Sequence, residues 1–242
     1  MTTTPAGITV LVQGEPSDNL LSSWHAALKA TGRPYELRQS KEPTGTALRD
    51  ALGTITHPFV LLTDTRYPYT PSDVNALLER IETPGELPDA MSGEWKPTLP
   101  QLVVGCRTGV PVPGVLATLG AVVRGFANVV LGLPLQRLPG WYGLGEHLRA
   151  YRTWIHYGTP LNDPHCGFKL FRTSFLERFP IQSDGDFVHV ELVAKATFLT
   201  CLMDEKPLSP KPDRIPKAKW DKKDVKAMNA KPKFWKPSPH TL

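Results

Sequence analysis

The chain has 242 residues, 40% of them hydrophobic, with three cysteines and a formal net charge of +5. This length and apolar content describe a folded protein with a real core, in one large domain or two small ones. Cys106, Cys166 and Cys201 are too few and too widely spaced for a disulfide scaffold or a paired-cysteine zinc site, and the opening MTTTPAGITVLVQGEP lacks the basic and long apolar regions of a secretory signal. A reducing, cytoplasmic setting is therefore expected.

ITVLV (8–12) is a short apolar run, and SDNLLSSWHAALKATG begins on the N-cap residues Ser17 and Asp18 and stops at Gly32, which predicts a strand and then a helix. YEL (35–37) is a second strand. TGTALRDALGTI places Leu48, Leu52 and Ile55 on one helical face, and PFVLLTD (58–64) is a third strand ending on Asp64. Thr70, Pro71 and Asp73 form a helix start ahead of SDVNALLERI. A polar loop from Thr83 to Pro100 follows, and QLVVGCR is a fourth strand ending near Arg107. Strands alternating with helices predict a mostly parallel α/β sheet flanked by helices, whose ligands sit at the carboxyl ends of the strands. Asp64 and Arg107 both fall there.

Residues 114–143 read as a helical insertion: GVLATLGAVVRGFANVVLGLP has roughly the 20 residues of a membrane span, but Arg124 and Asn128 interrupt it, leaving a buried or interfacial helix. Residues 209–242 read as a basic tail. From Lys206 onward, ten Lys and Arg214 face Asp213, Asp221 and Asp224, so this segment carries 11 − 3 = +8 and the rest of the chain 5 − 8 = −3. Its many prolines predict an extended segment, either a solvated tail or an arm that meets phosphates. The net positive charge is confined to this segment, and no nucleic-acid partner is expected.

Several stretches together resemble the family 2 glycosyltransferases of the GT-A (Rossmann-like) fold, in the branch of the dolichyl-phosphate mannosyltransferases and bacterial polyprenyl-phosphate glycosyltransferases. DTRYPYTPSD is similar to a strand ending in D-x-D followed by P-x-D, TGTALRDAL to a G-x-x-x-A-L-R-x-A-L helix, and VVGCR to V-V-G-S-R. YGTPLNDPHCGFKLFRTSFLERF resembles F-G-x-x-x-x-D-x-x-x-G-F-[KR]-x-[FY]-R, GDFVHVELVAKA resembles G-F-x-x-E-L-L-x-K-A, and MDEKPLSPKPDRIPKAKW lies where the family has E-x-P-[VI] and R-x-x-G-x-S-K. The likeness runs from about Ile8 to Trp220 and gives a glycosyltransferase domain over residues 1–208.

The resemblance implies an inverting hexosyltransferase. Asp64, Arg66 and Arg107 would face a nucleotide-sugar donor, Asp163 and Glu191 would be the acceptor-side acids, and Arg149, Arg152 and Lys219 would meet an acceptor or phosphate. The implied acceptor is a polyprenyl phosphate or a glycan, with peripheral contact at the inner face of a membrane. Asp64 would hold the family's divalent metal, Mg or Mn. Here the chain departs from the pattern, because the second acid of D-x-D is Arg66. Asp64 plus Arg66 sum to zero charge, as two carboxylates plus a divalent cation do, and a guanidinium can fork phosphate oxygens; equally, Arg66 could pair with Asp64 in a domain that binds or scaffolds without catalysis. The N-E-E and D-D-G-S elements are also replaced, by QGEPSDN and RQSKEPTG. His165 and His189 flank the two acids at a spacing that matches no zinc motif.

Overall fold

The computed structural model describes residues 5–67, 69–88, 93–107, 122, 126, 141–159, 161–209 and 220–235. In chain order the elements are β1 (Ile8–Gln13), α1 (Asp18–Ala30), β2 (Tyr35–Ser40), α2 (Thr44–Leu52), β3 (Phe59–Asp64), α3 (Val74–Glu82), β4 (Gly85–Pro88), β5 (Trp95–Thr98), β6 (Leu102–Cys106), α4 (Trp141–Tyr157), β7 (Lys169–Arg172), a single helical turn α5 (Thr173–Leu176), α6 (Val188–Phe198), β8 (Met203–Pro207) and α7 (Lys222–Ala230). The main sheet has the order β2-β1-β3-β7-β6-β8. The β1–β2, β1–β3 and β6–β8 pairs are parallel, while β7 runs antiparallel to both of its neighbours. This is the expected mostly parallel sheet flanked by helices.

Position in the sheet explains the sequence pattern of each strand. β3 lies between β1 and β7 and is buried along its whole length, so it reads as a continuous apolar run up to Asp64. β2 is an edge strand and carries polar YELRQS. The helices dock through apolar positions at helical spacing: Trp24 and Leu28 of α1 and Val74, Leu77, Leu78 and Ile81 of α3 are buried, each worth about 1.5–3 kcal/mol if fully removed from water. Ser17 caps α1 by accepting the Leu20 N–H at 3.3 Å. Thr70 makes no such bond. Pro71–Asp73 form a 3-10 turn before α3 instead.

Two findings depart from the expected organisation. The loop from Thr83 to Pro100 contains the antiparallel hairpin β4–β5, whose outward-facing WKPT gives no apolar alternation to read. The segment after Trp220 is not simply extended: Asp221 caps α7 by accepting the Lys223 N–H at 2.8 Å, and Met228 and Asp224 are buried beneath it. Apart from residues 122 and 126 and the first turn of α4, the expected insertion at 114–143 lies outside the described residues. Among the described residues no helix is long and apolar enough to cross a membrane.

Candidate functional site

The carboxyl ends of β1, β2 and β3 are tied together. Thr65 donates its N–H and its hydroxyl to the Gln13 carbonyl at 2.9 and 3.0 Å, and Gly14 donates its N–H to the Ser40 carbonyl at 2.8 Å. Gly14 has φ +97°, and a Cβ there would fall 2.1 Å from Thr65 Oγ1, so the turn after β1 can press against the turn after β3 only as glycine. Beneath these turns lies a cleft of about 250 Å³ lined by Gln13, Gln39, Ser40, Thr44, Leu48 and Thr63, among others. It is walled on one side by α2 and floored by the strand ends, where open α/β sheets take their ligands.

At the edge of that floor stands Asp64, buried at 9% exposure. Its Oδ1 accepts the Arg66 backbone N–H at 2.7 Å, and its Oδ2 accepts Arg66 Nε at 2.7 Å and also Nη2. The same guanidinium reaches across to Asp186, donating from Nη1 to Oδ2 at 2.7 Å and from Nη2 to Oδ1 at 2.8 Å. Asp186 also accepts the Thr44 hydroxyl at 3.1 Å, which joins this triad to the start of α2. Burial alone would raise the Asp186 carboxyl, but the hydrogen bonds and charge of Arg66 outweigh it and hold it below its usual range; Asp186 first and Asp64 second push the guanidinium upward. Asp186 and Arg66 therefore stand as an ion pair.

The loop that presents Asp186 is held from three directions. Arg49 donates from Nε to the Ile181 carbonyl at 3.1 Å and from Nη2 to the Ser183 carbonyl at 3.0 Å, while Gly45 and Thr46 donate their N–H groups to the Asp184 carbonyl at 2.9 and 3.0 Å. A Cβ on Gly45 would fall 2.0 Å from the Ser183 carbonyl oxygen. The Gly45 and Arg49 positions of the TGTALRDAL stretch therefore serve this loop. Glu191 holds it from α6: fully buried, it accepts Gln182 N and Ser183 N at 2.8 and 2.7 Å and pairs with Lys195 at 2.5 Å. Asp224 of α7 accepts the Asp184 and Gly185 N–H groups at 3.2 and 3.0 Å.

A second turn, residues 161–167, faces the triad. Asp163 accepts Arg107 N at 3.1 Å and Arg107 Nε and Nη2 at 2.7 Å each, in a pair almost wholly removed from water. Burial would raise the Asp163 carboxyl, but Arg107 more than cancels this and keeps it low. Glu205 accepts Asn162 N, Asn162 Nδ2 and Asp163 N at 2.9, 2.7 and 2.8 Å, and the fully buried Lys169 donates to the Pro164 carbonyl at 3.0 Å and to that of Cys166. His165 meets the Thr153 hydroxyl at 3.1 Å through Nε2 and lies against the Trp220 ring at a centroid distance of 4.9 Å. Burial pushes His165 down to about 3 and His189 well below its ordinary value, so both rings are neutral. Gly167 brings the two halves together: a Cβ there would lie 3.6 Å from both Asp64 Cβ and His189 Nε2, and its N–H donates to Tyr69 OH at 2.9 Å.

Of the residues singled out in the sequence, Asp64 and Arg66 form one centre and Arg107 and Asp163 a neighbouring one. Glu191 lies under the Asp186 loop with both carboxylate oxygens engaged. Arg149 is partly buried on α4, Arg152 is exposed one turn on, and Lys219 lies outside the described residues. Asp186 was not among the expected site residues. Its sequence signal, a carboxylate in SDGDF just ahead of α6, is readable only once the loop is known to fold back onto β3. A divalent metal does not fit this arrangement, since a guanidinium already fills the space between Asp64 and Asp186; among the described residues no three His, Cys, Asp or Glu side chains could hold an ion together.

No protein-family model matches the sequence, and no curated relative does. Among solved structures, the chain is similar to glucosyl-3-phosphoglycerate synthase from Mycobacterium tuberculosis. The complex of that enzyme with Mn²⁺ and uridine-diphosphate-glucose is 13% identical, covering 93% of this chain and 76% of that one with a TM-score of 0.49. Its complex with phosphoglyceric acid is 14% identical, covering 94% and 77%, with a TM-score of 0.45. Identities this low transfer no residue roles.

Proposed function

We propose that this chain binds a nucleotide-sugar donor and acts as a glycosyltransferase of the inverting kind, moving a hexose to a lipid-phosphate or glycan acceptor. The observation that carries the reading is the cleft at the carboxyl ends of β1, β2 and β3, whose lining reaches Thr63, the residue before Asp64. In it the nucleoside would lie between α2 and the strand ends, with Ser40, Thr44 and Gln39 as polar partners, and the diphosphate would lie toward Arg66. The acceptor oxygen would attack the anomeric carbon from the side of the 161–167 turn; the new C–O bond forms as the bond to the diphosphate breaks, and the nucleoside diphosphate leaves.

The two acids expected on the acceptor side suit positioning better than proton removal. Asp163 takes three donors from Arg107 and is held low, and Glu191 is enclosed beneath a loop, so neither has a lone pair placed to accept a proton from an incoming hydroxyl. That favours a phosphate acceptor, whose oxygen is already ionised near neutral pH and needs no base. A polyprenyl phosphate at the inner face of a membrane meets this requirement; the exposed Trp235 beside Lys231 and Lys233 would suit peripheral contact there. In the second reading, a binding or scaffold protein, the supporting observation is Arg66 itself, already committed to two carboxylates.

A thermal-shift series with UDP-, GDP- and dTDP-sugars separates the two. A donor at 100 times its dissociation constant stabilises the fold by about 2.7 kcal/mol, whereas a scaffold that has lost the donor site responds to none.

A further inference from the structure

Arg66 stands where two acids, brought from distant parts of the chain, would otherwise face each other. Asp64 ends β3, and Asp186 lies 120 residues beyond Arg66, ahead of α6. A guanidinium has five N–H bonds in a fixed fork. Here Nε and one Nη2 N–H go to Asp64, the other Nη2 N–H and one from Nη1 go to Asp186, and one Nη1 N–H is left without a partner among the described residues. All four carboxylate oxygens already receive an N–H, with Asp64 Oδ1 taking the Arg66 backbone.

A divalent cation would need several of these oxygens at about 2.0–2.6 Å, with a full positive charge excluded from its first shell. With Arg66 in place the three side chains sum to −1; without it the two carboxylates sum to −2 around a gap of atomic dimensions. His189 borders that gap. It is 5% exposed and neutral, a Cβ on Gly167 would lie 3.6 Å from both its Nε2 and the Asp64 Cβ, and its Nδ1 has no hydrogen-bond partner among the described residues.

We propose that Arg66 is the resident cation of this site, filling the position between Asp64 and Asp186 and thereby excluding a divalent metal from it. The diphosphate then meets the free Nη1 N–H and the half-exposed face of the guanidinium instead of a metal ion. This last consequence rests on the donor reading above; the exclusion of metal does not.

The test is a Mn²⁺ titration followed by electron paramagnetic resonance on the wild-type chain, Arg66→Ala, and Arg66→Ala combined with Asp186→Asn. The inference expects no bound Mn²⁺ in the wild type at millimolar metal, one Mn²⁺ in Arg66→Ala, and an affinity weakened by about tenfold or more when Asp186 loses its charge as well. A site in the wild type that Asp64→Asn abolishes overturns it, and so does a folded Arg66→Ala that takes up no metal. If Arg66→Ala does not fold, the Mn²⁺ titration of the wild type against Asp64→Asn decides: no bound Mn²⁺ in the wild type supports the inference, and a wild-type site that Asp64→Asn abolishes overturns it. A chain that binds no nucleotide but shows the expected resonance pattern removes the donor reading and leaves the resident cation standing.

Discussion

Asp224 offers a direct test of how the segment after Trp220 acts on the site. Its side chain is 5% exposed and one oxygen accepts two backbone N–H groups, those of Asp184 and Gly185, immediately before Asp186. Hydrogen bonds to a charged acceptor contribute about 1.5–3 kcal/mol each, and the second of a shared pair contributes less. Asp224→Ala should therefore cost about 3 kcal/mol, well above an ordinary surface change. Asp221→Ala, which removes only the exposed N-cap of the same helix, should cost about 1 kcal/mol. Urea unfolding followed by circular dichroism gives both values from the shift in midpoint at constant slope. Limited proteolysis should report the local consequence, with cleavage at 183–187 accelerated in Asp224→Ala and unchanged in Asp221→Ala. An Asp224→Ala variant within about 0.5 kcal/mol of wild type would refute the reasoning, because that is the range of a side chain with no buried partner.

Two further outcomes follow from the buried charges. Asp163→Asn removes the enclosed carboxylate that pairs with Arg107 and should destabilise by about 3–5 kcal/mol, whereas a double change of Arg107→Met with Asp163→Leu should cost less than the single one; urea midpoints of the three chains check this. Acidification should weaken the fold before the carboxylates titrate. His165 is pushed down to about 3 and His189 is also depressed, so below about pH 6.5 the unfolded chain takes up protons that the folded chain refuses, and stability falls with pH. At about pH 4.5, two units below the ordinary histidine value, each ring should cost up to about 2.7 kcal/mol. Denaturation midpoints that stay level from pH 7 to pH 4.5 would contradict this, and His165→Phe should flatten part of the slope.

What could be read in the sequence follows the range of the interactions involved. β1 and β3 are central, and their burial on both sides writes an apolar run that ends visibly at Asp64. Local signals of this kind also placed α1, α2 and β6. The hairpin β4–β5 is short and mostly solvent-facing, so nothing apolar marks it. β7 is read in the sequence only within a family-like stretch and not as a strand, and its antiparallel place between β3 and β6 depends on where the chain returns after α4.

The site shows the same division. Asp64, Arg66, Arg107 and Asp163 were singled out from their motifs, yet the partnership of Arg66 with Asp186 joins residues whose sequence separation hides it. Glu191 was expected at the acceptor side on a residue match; its burial against the Gln182 and Ser183 N–H groups came only with the fold. Composition marked the region after Lys206 as basic and proline-rich, but Asp224, one of its three acids, packs there together with Met228.

The central claim is that a nucleotide sugar binds across the ends of β1, β2 and β3 and reaches Arg66. Hydrogen–deuterium exchange of the full chain, with and without the nucleotide sugar that gives the largest thermal shift, in EDTA, tests it most directly. The account predicts slowed exchange in residues 39–48 and 63–67, extending to 183–187 through Asp186. Protection confined to other segments, or no protection at a saturating concentration of any nucleotide sugar, would contradict it.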